Sequence, residues 1–163
     1  MNKAVQKVMF SSKAHDWATP QDFFDRLNWR FGPFDLDPCA SPHNAKCQNF
    51  ITIGDDGLAK DWGGHTSFVN PPYGRELGKW VKKAYEESQK PNTKVVMLIP
   101  ARTDTKYWHK YVMQAKEIHL VKGRLKFGQG VNSAPFPSAI VVFEPGLRHA
   151  YHDYPKLLTM ERI

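Results

Sequence analysis

The stretch from Ser67 to Pro100, SFVNPPYGRELGKWVKKAYEESQKPNTKVVMLIP, decides the fold. Ser67-Phe68-Val69-Asn70 reads as a short buried strand. Leu77, Trp80, Val81, Ala84 and Tyr85 then recur on one helical face, with Lys79, Lys82, Lys83 and Glu86 off it. Pro91-Asn92 breaks that helix. Val95 to Ile99 is an unbroken apolar run ending at Pro100, as a strand buried on both faces requires. Strand, helix and strand in this order predict neighbours in an α/β sheet.

Upstream, Thr19-Pro20-Gln21-Asp22 predicts a helix start: Thr19 as cap, Pro20 in the first helical position, Asp22 at the positive end of the dipole. Phe23, Phe24, Leu27 and Phe31 follow at helical spacing, and Gly32-Pro33 ends the segment. Phe34-Asp35-Leu36-Asp37 is a strand candidate, Ser41-Pro42 the opening of a short helix through Cys47, and Ile53 to His65 a loop. Downstream, a helix from Asp104 or Thr105 carries Tyr107, Trp108, Tyr111 and Val112. Strands are predicted at Glu117 to Val121 and Leu125 to Phe127, a loop at Gly128 to Pro137, and a final strand at Ala139 to Phe143. The last strands follow one another with no helix between them, so one of them runs antiparallel. The expectation is a mostly parallel sheet with an antiparallel strand near the C-terminus and helices on both faces. Asp37-Pro38, Asn70-Pro71 and Pro100-Ala101-Arg102 fall at strand exits, where open α/β sheets bind ligands.

The 163 residues suffice for one domain, 1–163, with the first 15 lacking periodicity and expected to be mobile. No apolar run spans a bilayer and the start is not a signal peptide, so a cytoplasmic protein without a membrane partner is expected. A net charge of +7 favours a polyanion, most simply a nucleic acid. Cys39, His43, Cys47 and His65 match no common zinc spacing, and no metal is expected.

Asn70-Pro71-Pro72-Tyr73 carries the chemistry. The prolines fix the backbone and remove donors, leaving carbonyl acceptors. The Asn70 side-chain oxygen and the Pro71 carbonyl can both accept from an exocyclic amine, and the Tyr73 ring can stack on a planar base. Two acceptors on one amine steer its lone pair towards an electrophile, which suits methyl transfer. Asp35 and Asp37-Pro38 form a second constellation, whose carboxylates suit ribose hydroxyls or an ammonium group. No glycine-rich motif precedes them.

From Asp16 to Phe143 the chain resembles the small, phage-type DNA N6-adenine methyltransferases. The matching blocks are Trp17-Ala18-Thr19-Pro20, Asp35-Leu36-Asp37-Pro38-Cys39-Ala40, Asn44-Ala45-Lys46-Cys47, Asp56-Gly57-Leu58 and Asn70-Pro71-Pro72-Tyr73-Gly74. They continue with Pro100-Ala101-Arg102-Thr103-Asp104-Thr105, Gly123-Arg124-Leu125-Lys126-Phe127 and Asn132-Ser133-Ala134-Pro135-Phe136-Pro137-Ser138. The resemblance implies a reduced Rossmann-like methyltransferase fold, S-adenosyl-L-methionine as donor, and a flipped adenine of double-stranded DNA as acceptor, in a bacterial host cell. It makes Thr19-Pro20 the start of a cofactor-contacting segment and puts Asp55-Asp56 near the cofactor's adenine, although a helix cap and a solvated acidic loop explain them equally well.

Phe136, in a proline-rich loop before the last strand, is the better candidate for base stacking, with Phe127 second. Arg75, Arg102 and Lys126 stand beside the predicted active loops and suit phosphates, as do Lys106 and Arg124. Little chain is left for a separate recognition domain, so short or relaxed target specificity and a monomer or weak dimer are expected. Two other readings fit part of the pattern: a different amino acceptor (cytosine N4, an RNA base, a protein glutamine) or a non-catalytic DNA-binding module.

Overall fold

The computed structural model describes residues 17–128, 132–144 and 155–162. The expectation for the first 15 residues lies outside them. Seven strands form one sheet in the order β2-β1-β3-β4-β6-β5-β7. These are β1 (Leu36–Ala40), β2 (Asn49–Thr52), β3 (Thr66–Val69), β4 (Lys94–Pro100), β5 (Glu117–Lys122), β6 (Ser138–Phe143) and β7 (Lys156–Glu161). The helices are α1 (Gln21–Phe31), α2 (Leu77–Ser88) and the short α3 (Lys106–Lys110), which runs into a 3-10 turn at Val112–Gln114. Strand β6 runs antiparallel to both β4 and β5, while β1 to β4 pair in parallel, and β7 pairs parallel to β5. The predicted antiparallel strand near the C-terminus is therefore β6.

Strand β4 lies at the centre because both of its faces are apolar. Val95, Met97 and Ile99 pack with Leu77, Trp80, Val81 and Ala84 of α2 and Trp108 of α3. Val96 and Leu98 point the other way, into Phe23, Phe24, Leu27 and Phe31 of α1. Period-two alternation along one strand thus separates two cores, with helices on both faces.

Two features place ligand-binding atoms at one edge. Strand β1 pairs with β3 only at Leu36↔Ser67, and the two then diverge. The chain leaves β1 towards β2 and leaves β3 towards β4, so the reversal of strand order falls between β1 and β3. Their carboxyl ends flank the crevice where open α/β sheets take ligands. The loop after β2 is fastened there by Trp62, which is fully buried and stacked on Trp80. Its indole N–H donates to the Gly57 carbonyl at 2.9 Å and its main-chain N–H to Glu87 Oε2 at 2.8 Å. Burial opposes the Glu87 charge, but Lys83, Lys90 and this N–H together hold its pKa below the ordinary carboxylate range.

Several sequence expectations need correction. Thr19 does not cap α1; Pro20 takes the cap position with no side-chain bond, and the helix begins at Gln21. The segment after Ser41 is a turn, closed by Ser41 N–H to Asn44 Oδ1 at 2.7 Å, which satisfies the backbone without a helix. Leu125 to Phe127 joins no strand, although Leu125 and Phe127 are both buried, in the core on the α1 side of the sheet. The predicted third helix is shorter than its apolar spacing suggests, although Thr105 does cap it through Trp108 N–H. Strands β2 and β7 are additional, and Ala139 to Phe143 is not the final strand. Among the described residues no helix is long and apolar enough to cross a membrane.

Candidate active site

Asn70 is the first residue after β3, and its side chain joins three parts of the chain. Nδ2 donates to the Trp17 carbonyl at 2.7 Å and to Thr19 Oγ1 at 3.0 Å. Oδ1 accepts from the Tyr73 hydroxyl at 2.7 Å. That hydroxyl also lies 3.3 Å from the Leu98 carbonyl of β4, but it has one hydrogen and the shorter contact takes it. Burial is the main reason the Tyr73 phenol is pushed well above its ordinary pKa, so it is a neutral donor here. Pro71 is buried, and Gly74 turns the chain with φ at +142°, a region side chains avoid.

Four rings close around this group. Trp17 lies 5.0 Å from Phe136 and 5.4 Å from Phe127, centroid to centroid. Tyr73 meets Phe136 at 5.4 Å and Phe127 at 6.1 Å, nearly edge-on to both, and Trp17 at 6.2 Å. The backbone holds the cluster from two sides. Gly128 N–H donates to the Ala18 carbonyl at 2.7 Å, tying Phe127 to Trp17. Ala101 N–H donates to the Pro137 carbonyl at 2.9 Å, tying Phe136 to the exit of β4. Phe136 is half-buried, whereas Phe127 is 3% exposed.

The acidic candidates divide. Asp37, 4% exposed, accepts from the main-chain N–H groups of Lys46 (3.1 Å) and Cys39 (3.3 Å), fastening the loop after β1 at the crevice. Burial raises its pKa to about 6, against the pull of those two donors. Pro38 follows it within β1, so the pair lies inside the strand and not at its exit. Asp55 and Asp56 stand at the exit of β2, Asp55 bonded to Thr52 Oγ1 and Asp56 to Leu58 N–H. Gly57 brings that exit onto β1: a Cβ there would sit 2.1 Å from the Pro38 carbonyl oxygen. Asp35 is placed elsewhere. It precedes β1, accepts from Thr66 N–H and lies 2.9 Å from the His65 ring. Thr66 is four residues before Asn70, about 13 Å along an extended strand, which separates Asp35 from the crevice.

Arg75, Arg102 and Lys126 are exposed around the ring cluster, two residues after Tyr73, two after β4 and directly before Phe127. Arg102 is close enough for its charge to act on the Tyr73 phenol. Among the described residues no group of His, Cys, Asp or Glu is arranged to hold a metal ion, and both cysteines are free thiols. Sequence reasoning overlooked Trp17 as a site residue and ranked Phe127 second. Trp17 stands two residues before Thr19-Pro20, in a block of which only Thr19 and Pro20 were assigned a task, and Phe127 ends the Gly123–Phe127 block, where core packing explains it as well as base stacking does.

Residues 7–149 match the family model described as DNA N-6-adenine-methyltransferase (Dam). The DNA N-6-adenine-methyltransferase of Haemophilus phage HP1 is 38% identical over 136 residues, covering 79% of this chain and 78% of the relative. That of Escherichia phage T1 is 34% identical over 110 residues, covering 67% of this chain and 45% of the relative. Among solved structures, a Listeria monocytogenes protein assigned to the class I S-adenosylmethionine-dependent methyltransferases superposes with a TM-score of 0.58 at 10% identity, covering 96% of this chain and 69% of its own. The fold is thus that of a methyltransferase, and the family match spans most of the chain. The chain belongs to the DNA N-6-adenine-methyltransferase (Dam) family.

Proposed function

We propose that the chain methylates the exocyclic N6 amine of adenine in double-stranded DNA, with S-adenosyl-L-methionine as donor, inside a bacterial host cell. The observation that carries this reading is Asn70 Oδ1, an acceptor aimed into an aromatic cluster and met there by a single neutral donor, the Tyr73 hydroxyl. An amine N–H is the same kind of partner. With the Pro71 carbonyl as second acceptor, Asn70 would hold the amine with its lone pair free to attack. The rings of Tyr73 and Phe136 supply the faces for a base taken out of the duplex stack, and Trp17 backs them. Arg75, Arg102 and Lys126 supply positive charge around that opening for the phosphate backbone.

The residues at the crevice fit the cofactor by the chemistry they offer. Asp37 gives a carboxylate for its ammonium group, and Asp55 and Asp56 give carboxylates for its ribose hydroxyls. Gly57, with no side chain, draws the two acidic sites together. Thr19-Pro20 lies on the Asn70 side of the same crevice. When bound, the cofactor supplies an electrophilic methyl on a sulfonium. The chain's own task is to hold the amine, exclude water with four rings and keep the acceptors in place.

Asn70→Ala tests the reading. Turnover on duplex DNA should fall at least about a hundredfold, because alignment in the transition state is lost. DNA affinity should stay within about threefold, because the phosphate-facing cations remain. Wild-type turnover by Asn70→Ala would sink the proposed mechanism.

A further inference from the structure

The Asn70 amide is held from behind as well as met from the front. Nδ2 lies 2.7 Å from the Trp17 carbonyl oxygen and 3.0 Å from Thr19 Oγ1. A side-chain amide has two ends of nearly equal shape, and only its partners decide which end faces where. Here the Trp17 carbonyl decides, because a carbonyl can only accept. Turning the amide over would set two acceptors 2.7 Å apart and present N–H to the ring cluster. Thr19 adds the second hold. It is 4% exposed, and its hydroxyl, which makes no cap to α1, spans from the segment before that helix to the exit of β3.

We infer that Thr19 is a positioning residue: with the Trp17 carbonyl it fixes the Asn70 amide so that Oδ1, and not Nδ2, meets the amine of the target base. The inference rests on the methyltransferase reading above and gives Thr19 a task there other than cofactor contact. It also accounts for asparagine at position 70. A carboxylate in the same place would put an oxygen against the Trp17 carbonyl, with no proton to bridge them.

The experiment compares Thr19→Val, which keeps shape and removes the hydroxyl, with Thr19→Ser, which keeps the hydroxyl. Each is made in the full chain, melted, and assayed on duplex DNA with S-adenosylmethionine. Thr19→Val should lower kcat about tenfold, as expected for one lost buried hydrogen bond. KM for S-adenosylmethionine should stay within about twofold, and Thr19→Ser should restore kcat to within about threefold of wild type. Should Thr19→Val not fold, Thr19→Ala removes the same hydroxyl with less bulk and carries the same expectation. A second readout needs no turnover. The Asn70 side-chain amide signals in an NMR spectrum, identified by their loss in Asn70→Ala, should move in Thr19→Val and hold their place in Thr19→Ser. Wild-type kcat in Thr19→Val, a loss that falls on KM for S-adenosylmethionine, unmoved amide signals, or no rescue by serine would each overturn the assignment. A wild-type chain without any turnover would instead overturn the methyltransferase reading, leaving the NMR comparison to decide on Thr19.

Discussion

The Tyr73 hydroxyl donates to Asn70 Oδ1 at 2.7 Å, so the tyrosine occupies the acceptor that a target amine needs. Oδ1 has two lone pairs; in the proposed pose the target amine takes the place of the hydroxyl, while the ring remains useful as a stacking surface. Tyr73→Phe should keep kcat/KM within about threefold of wild type, since only the displaced group is missing. Tyr73→Ala should lose about 10- to 100-fold, the range for one base-stacking ring. Steady-state kinetics on duplex DNA check both. A Tyr73→Phe variant as impaired as Tyr73→Ala would make the hydroxyl itself part of the chemistry.

Phe127 and Phe136 touch the same rings but differ in burial, and their substitutions should separate accordingly. Phe127 is 3% exposed and packs with the α1 core, so Phe127→Ala should cost about 3–5 kcal/mol of stability. Phe136 is only half-buried. Phe136→Ala should leave the melting temperature nearly unchanged and raise KM for DNA about tenfold. Thermal melts and DNA titrations of the two variants side by side check the contrast.

Asp37 should give cofactor binding a pH dependence. Burial raises its folded pKa from the ordinary 3.8 to about 6. A raised value means the fold favours the protonated carboxyl. The associated stability is fully present below about pH 4 and is lost as pH rises through about 6, up to about 3 kcal/mol. Above pH 6 the carboxylate is charged and available to an ammonium group; below it the partner is lost. KM for S-adenosylmethionine should therefore rise as pH falls from 7 to 5. In Asp37→Asn it should be high and flat across that window. A wild-type profile as flat as that of Asp37→Asn would remove Asp37 from the cofactor site.

Gly57→Ala tests how the acidic exits are brought together. The added Cβ would stand 2.1 Å from the Pro38 carbonyl oxygen, a main-chain atom that cannot turn aside. A loss of about 1–3 kcal/mol is expected, seen in chemical denaturation, together with a higher KM for S-adenosylmethionine. Gly54→Ala is the control, because its nearest neighbour would be a side-chain oxygen at 3.6 Å.

Legibility in the sequence followed burial. Strands β4 and β6 announce themselves because nearly every residue in them is buried, which leaves unbroken apolar runs from Val95 to Ile99 and from Ala139 to Phe143. Strand β2, Asn49–Thr52, and strand β7, Lys156–Glu161, are largely exposed at the two edges of the sheet, and neither has a pattern to read. Leu125 and Phe127 alternate as in a strand, but their burial comes from covering α1 and the ring cluster. At the site, Asn70 to Tyr73 could be read because proline, asparagine and an aromatic ring carry their chemistry locally. The partners of Asn70 could not: Trp17 and Thr19 are 53 and 51 residues away and meet it only through the fold. Thr19 was misread for a related reason. A hydroxyl before a helix suits a cap, and only tertiary structure reveals the stronger claim of Asn70. Asp35 and Asp37 look alike in sequence, yet Asp35 precedes β1 and meets His65 and Thr66, whereas Asp37 lies inside the strand and holds the loop that follows it.

The identity of the methylated atom decides the whole reading. The chain is incubated with methyl-labelled S-adenosylmethionine and unmethylated duplex DNA, and the DNA is then digested to nucleosides and separated. Label in N6-methyldeoxyadenosine is expected, absent when Asn70→Ala replaces the wild-type chain. Label in N4-methyldeoxycytidine, or retained DNA binding with no label in any nucleoside, would contradict it.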